Sequence, residues 1–181
     1  MKKSVREILI SAIALMLIAA AVTAALAATN LLTKDKIDER IAQKETAARA
    51  ELIADAQFEE ATLLDGGNEV TYHIAKKDGV TVGYIFTVVS KGKSSGLTVM
   101  TGVDVDGKVL AAKVTNDNET AGYVDRIVKA GFLDSLRGKN SEKDVQAVDA
   151  VSNATKTSVG VRDAVVKALK YYELVKGGSA A

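Results

Sequence analysis

Seven positions near the end of this 181-residue chain hold four hydroxyl groups: Ser152, Thr155, Thr157 and Ser158, within the run Asp149-Ala150-Val151-Ser152-Asn153-Ala154-Thr155-Lys156-Thr157-Ser158. The residues between them are mostly small, and an amphipathic helix follows, with Val161, Val165, Leu169 and Tyr172 at helical spacing. The start of a helix presents backbone N–H groups that have no intrahelical acceptor, together with the positive end of the helix dipole. A phosphate is at home there. A threonine hydroxyl in that place can hydrogen-bond a phosphate or be esterified by one. The same residue types also serve as plain helix caps. The two readings are compatible if Thr157 or Ser158 caps the helix and Thr155 stands just ahead of it.

Other chemistries are closed by composition. The chain has no cysteine, which removes disulfides, thiolate catalysis and iron–sulfur ligation. His73 is the only histidine, so a histidine-rich metal site and a histidine-based triad are excluded as well. No G-x-G-x-x-G follows a strand pattern and there is no P-loop. With Lys2, Lys3, Arg6 and Glu7 set aside, acidic residues exceed basic ones by one, leaving no cationic surplus for nucleic acid. What remains is hydroxyl, carboxylate and amine chemistry, or that of a borrowed cofactor.

Two further stretches carry polar groups near glycine. One is Asn118-Glu119-Thr120-Ala121-Gly122-Tyr123, where Glu119 and Thr120 also suit the cap of a short helix over 124–132. The other is Ser90-Lys91-Gly92-Lys93-Ser94-Ser95-Gly96, which reads as a flexible, mildly basic loop.

The elements that must position these residues read as follows. Lys34 to Phe58 is rich in Ala, Glu, Lys and Gln and predicts a helix, the main part of a stalk and linker over 29–65 that ends at the Gly66-Gly67 turn. Val70, Tyr72 and Ile74 alternate with Thr71, His73 and Ala75, a half-buried strand that leaves His73 on its polar side. Lys77-Asp78-Gly79 turns the chain into Val80–Val89, apolar on both faces and so a central strand. Leu97–Val105 and Lys108–Thr115 form a further hairpin about Asp106-Gly107. Short helical patterns over 124–132 and a longer one over 162–175 complete an antiparallel α+β domain over 66–176, and 177–181 reads as a fraying tail.

The N-terminal end is of another kind. Between Glu7 and Lys34 there is no charge, and residues 8–28 are almost wholly apolar. Those 21 residues match the roughly 20 that span a bilayer as a helix. The basic residues ahead of them would hold a short 1–7 segment in the cytoplasm and place the rest outside. Ala25-Leu26-Ala27 resembles a signal cleavage site, but apolar signal cores run only about 7–15 residues, so an uncleaved anchor is expected.

With these residues in view, Asp149–Thr155 resembles the flavinylation signature of covalent FMN-binding domains, in which an Asp and a Ser/Thr-Gly-Ala-Thr run end in the modified threonine. Asn118–Tyr123 is similar to the Glu-Thr-Pro-Gly-Leu loop of that family. Gly83-Tyr84, Gly96, Gly102-Val103-Asp104 and Asp106-Gly107-Lys108 fit its glycine-punctuated hairpins. One anchor followed by one such domain resembles the G subunits of Rnf-type ion-translocating electron transport complexes, relatives of the C subunit of sodium-translocating NADH:quinone reductase. The motifs span roughly residues 70–175. Asn153 stands where the family has Gly and Ala121 where it has Pro; Asn tolerates left-handed backbone, so the first change can keep the turn.

The resemblance implies FMN joined as a phosphoester to the Thr155 hydroxyl by a separate flavin transferase, which expels AMP from FAD, with Asp149 helping that enzyme recognise or activate the segment. It places Ser152, Ala154, Thr157 and Ser158 around the attachment point. Glu119, Thr120, Gly122 and Tyr123, with Gly96 and Leu97, would lie along the flavin ring; no metal ligand and no catalytic residue is expected, and Lys156 is expected to be solvated. It further implies a single-pass membrane subunit that relays electrons between redox centres of neighbouring membrane, iron–sulfur and flavin subunits, with ion pumping done elsewhere in the complex. The alternatives are a membrane-anchored FMN sensor or docking module, and a stand-alone extracytoplasmic reductase.

Overall fold

The computed structural model describes residues 2–116, 119 and 121–178. The chain divides into two compact units, Met1–Lys44 and Glu45–Ala181. The helix α1 (Lys2–Leu52) carries the uncharged stretch in the part of it, up to Lys44, that belongs to the first unit. Every described side chain from Ile8 to Lys34 is exposed, including Leu15, Met16 and Leu32. Apolar side chains exposed all round a helix of this length suit lipid as their solvent. Along this helix the hydroxyls of Thr29 and Thr33 donate to the carbonyls of Ala25 and Thr29, one turn back, so they present no free donor.

The second unit is built on a five-stranded antiparallel meander, β1 (Gln57–Asp65), β2 (Asn68–Lys77), β3 (Val80–Lys91), β4 (Ser95–Asp104) and β5 (Val109–Asn116), in sequential order. Its tight turns use the expected residues. Asp78 and Gly79 both have positive φ, as do Gly66 and Gly67, the backbone of two-residue hairpins whose twist matches the strands. After β5 come α2 (Tyr123–Lys129), α3 (Phe132–Ser135), α4 (Glu142–Gln146) and the long α5 (Thr155–Lys176).

Both faces of the sheet are covered. On one face Leu63, Tyr72, Phe86, Val88, Leu97, Val99 and Val103 pack with Val161, Ala164, Val165, Ala168 and Tyr172 of α5, and with Ile127, Phe132 and Val145 of the short helices. On the other, Ala75, Ile85 and Met100 pack with Ala48 and Leu52 of α1 and with Ile53 just after it. His73 lies on this second face, where Arg49 Nη1 donates to its Nε2 at 2.8 Å. It is hydrogen-bonded, as expected, but half-buried, because the face expected to be polar is covered and buries Ala75 completely. Burial, then the Arg49 charge, hold its pKa below the ordinary 6.5.

Three expectations require correction. Residues 57–65, expected as part of the stalk and linker, form strand β1, paired with β2 from Gln57↔Lys76 to Asp65↔Asn68. The helix-forming Glu and Ala residues mislead there, because burial of Leu63 and the paired ladder outweigh intrinsic propensity. The loop expected over 90–96 is mostly strand, with Ser90 opposite Leu97 and Lys91 opposite Ser95, so only Gly92–Ser94 turn. Finally, α5 begins at Thr155 rather than near Arg162, two turns earlier than the apolar stripe indicates.

Candidate functional site

The early start of α5 decides which hydroxyls are available. Ala154 stands at the N-cap and makes no side-chain capping bond. The first backbone bond of this turn runs from Ser158 N–H to the Ala154 carbonyl, 2.9 Å, so the amides of Thr155, Lys156 and Thr157 lie ahead of the hydrogen-bonded ladder. Thr157 and Ser158 are fully buried within the first turn, not caps at its edge. Ser158 Oγ accepts from Val151 N–H and donates to the Ala154 carbonyl, both at 3.1 Å, folding the preceding loop onto the helix. Thr155, Ser152 and Lys156 remain exposed.

The loop ahead of α5 is held from several sides. Asn153 has φ 62°, the left-handed conformation that a glycine would adopt freely and that asparagine tolerates. Arg126 Nη1 on α2 donates to the Asn153 carbonyl at 3.4 Å. Arg162 Nη1 donates to the carbonyls of Gln146 and Val148, each at 2.9 Å, and so fixes the chain just before Asp149. Asp149 is exposed and lines, with Lys139, Ser135 and Val151, a shallow hollow of about 410 Å³.

Glu119 joins this loop to the hairpin. Its Oε2 accepts from Thr157 Oγ1 at 2.9 Å and from Lys93 N–H at 3.2 Å, and its Oε1 accepts from Ser94 N–H at 3.0 Å. The carboxylate is thus a clamp between the 92–94 turn and the first turn of α5, and not the cap of α2. The N-cap of α2 is Gly122, at φ 86°, with no side-chain capping bond. Close packing tightens the same junction. A Cβ on Gly160 would come within 2.8 Å of the Lys91 carbonyl and 3.0 Å of Gly92 Cα, so the hairpin rests directly on the helix. Ser90 Oγ donates to the Gly160 carbonyl at 2.8 Å.

Tyr123, the first residue of α2, has two cations against its ring. Lys93 Nζ donates to its hydroxyl at 2.9 Å and lies 4.4 Å from the ring centroid; Arg126 Cζ lies 5.5 Å from it. The hydrogen bond from Lys93, then its charge, hold the Tyr123 phenol below the ordinary 10.0.

The residues named from the sequence therefore come together unevenly. Ser152, Ala154, Thr155, Thr157 and Ser158 share one helix start; Glu119 bonds to it through Thr157, whereas Gly122 caps α2 and Tyr123 meets the 92–94 turn through Lys93. Gly96 is the second residue of β4, whereas the Leu97 side chain is fully buried in the core. Asn118 and Thr120 lie outside the described residues. Sequence reasoning does not single out Lys93 and Arg126; the spacing of Tyr123 and Arg126, three apart on a helix, is the signal that places a guanidinium beside the ring.

Comparison with known proteins agrees with this arrangement. The family described as FMN-binding domain matches residues 92–170, which hold the hairpin turn, the Glu119 clamp and the hydroxyl cluster. The family described as RnfG N-terminal region matches residues 1–52. The G subunit of the Na(+)-translocating ferredoxin:NAD(+) oxidoreductase complex of Acetobacterium woodii is 26% identical over 184 residues, covering 88% of each chain. The G subunit of the ion-translocating oxidoreductase complex of Salmonella typhimurium is 28% identical over 195 residues, 96% of this chain and 93% of its own. Its counterpart in Haemophilus influenzae (strain Rd) is 33% identical over 105 residues, about half of either chain. The chain thus matches, in order, the RnfG N-terminal region and the FMN-binding domain, and along most of its length it is similar to G subunits of ion-translocating oxidoreductase complexes.

Proposed function

We propose that this protein is a single-pass, membrane-anchored electron-relay subunit of an ion-translocating oxidoreductase, carrying FMN as a phosphoester on Thr155. The observation that carries the reading is selective exposure: of the three hydroxyls in the first turn of α5, those of Thr157 and Ser158 are buried and hydrogen-bonded, and only that of Thr155 is at the surface. The amides of residues 155–157, at the positive end of a 22-residue helix, are the donor set a phosphate requires. The residues present fit the group.

When bound, the flavin supplies one- and two-electron chemistry that no side chain of this chain offers. The chain binds and orients it. Thr155 holds the phosphate, and the α5 amides stabilise its charge by about 0.3–1 kcal/mol per exposed contact, enough to position but not to retain it. Tyr123, Gly122 and Gly96 line the approach. A separate flavin transferase performs the attachment, with Asp149 beside the hollow at 130–151 as part of its recognition surface. Neighbouring subunits supply donor and acceptor. The cationic residues ahead of the apolar span place the N-terminus in the cytoplasm and the α+β domain outside.

The test is co-expression of the full chain with a flavin transferase and examination of a denaturing gel under ultraviolet light. A fluorescent band in the wild type, lost in Thr155→Ala and kept in Ser152→Ala, supports the reading. Fluorescence that persists in Thr155→Ala moves the attachment elsewhere, and a dark wild-type band defeats the reading.

A further inference from the structure

Lys93 and Arg126 present two positive charges to one neutral ring, within about a Debye length of each other, roughly 10 Å at 0.1 M salt. Like charges at that separation repel. Among the described residues neither has a carboxylate oxygen within 4.0 Å, and Lys156, next to Thr155, has none either. The nearby Glu119 is fully engaged with two amides and the Thr157 hydroxyl, and does not neutralise them through an ion pair. Both cations are nevertheless held in place: Lys93 by its amide on Glu119 and its ammonium on the Tyr123 hydroxyl, Arg126 by the Asn153 carbonyl, two residues from Thr155. Fixed cations that lack an acid partner, one of them bonded to the loop that leads into α5, are complementary to an anion.

We propose that Lys93 and Arg126, fixed by Tyr123 and the Asn153 carbonyl, form a seat for a flavin-nucleotide phosphate beside Thr155. The inference rests on the reading of Thr155 as the attachment point and adds side chains to what the α5 amides provide. The shared chemistry is a phosphate oxyanion. It has two sources: the phosphoester of the finished protein, and the diphosphate of the incoming dinucleotide while a transferase delivers it.

The test uses the full chain in detergent with Thr155→Ala, which cannot form the ester, titrated with FMN and with riboflavin, which differ only in the phosphate. The seat predicts that FMN binds more tightly than riboflavin and that this preference shrinks as salt rises. Adding Lys93→Gln and Arg126→Gln should lower the preference for FMN over riboflavin about 3- to 10-fold, in line with exposed charge pairs. The charge-keeping pair Lys93→Arg and Arg126→Lys should restore it. Equal binding of FMN and riboflavin, or a preference unchanged by the neutral pair, overturns the seat.

With Thr155 intact, the neutral pair separates the two sources. Slower flavin loading by the transferase shows that the cations act on the incoming diphosphate; loading at the wild-type rate with a lost FMN preference confines them to the finished ester. Should the wild type carry no covalent flavin yet retain the FMN preference, the Thr155 reading fails and the seat stands. Covalent loading without any phosphate preference gives the converse.

Discussion

Glu119→Ala removes one carboxylate from three donors, and its cost follows from where each donor lies. The Lys93 amide is at the surface, where water replaces the lost oxygen, so its share is small. The Ser94 amide is half-buried. The Thr157 hydroxyl is fully buried, and leaving such a group unpaired costs about 1–3 kcal/mol. Together the loss amounts to about 2–4 kcal/mol, concentrated at the junction of the hairpin turn with α5. Hydrogen-exchange mass spectrometry on the full chain reads this directly. Peptides covering 92–97 and 155–160 should exchange at least about tenfold faster, since each 1.4 kcal/mol is a factor of ten, while β1 and β2 change little. Combining Glu119→Ala with Thr157→Val, which deletes the orphaned hydroxyl, should restore roughly 1 kcal/mol. If the 92–97 peptide exchanges within about threefold of wild type, Glu119 is not a clamp and the junction is held by Gly160 packing alone.

Other consequences are open to measurement. His73 accepts from Arg49 in its neutral form and has a lowered pKa, so its folded state resists protonation. Its stabilising contribution is complete above the ordinary 6.5 and is lost as pH falls below that value toward the folded pKa, a loss that His73→Gln should blunt in pH-dependent thermal unfolding. Asn153→Gly should leave stability unchanged or slightly raised, whereas Asn153→Val at φ 62° should cost about 1–2 kcal/mol by calorimetry. Gly160→Val would drive a side chain into the Lys91 carbonyl and should cost about 1–3 kcal/mol, loosening the hairpin in the same exchange experiment.

The sequence is most legible where a single local rule governs. The uncharged run over 8–28 reads as a bilayer-length helix because length and composition suffice, and Asp78-Gly79 reads as a hairpin because positive φ at both positions restricts the residue types. Strand β1 is hidden because Gln57-Phe58-Glu59-Glu60-Ala61 has helical composition, and its fate is settled by pairing with β2 and by burial of Leu63. The first two turns of α5 are hidden for the opposite reason. Thr155–Gly160 contains poor helix formers, and their helix is sustained by contacts remote in sequence, with Thr157 bonding Glu119 and Gly160 lying against Lys91. The site is legible as a hydroxyl cluster, but not which hydroxyl is exposed. That depends on burial of Thr157 and Ser158 beneath a hairpin more than fifty residues upstream, which no local spacing encodes.

Flavin attachment comes down to one oxygen atom, and peptide mass spectrometry of the flavin-loaded full chain can locate it. Trypsin releases residues 144–156, which contain Ser152 and Thr155 but neither Thr157 nor Ser158. This peptide should carry the mass of one esterified FMN, with fragment ions that locate the addition on Thr155. An unmodified 144–156 peptide from flavin-bearing protein, or fragments that place the addition on Ser152, would contradict the assignment.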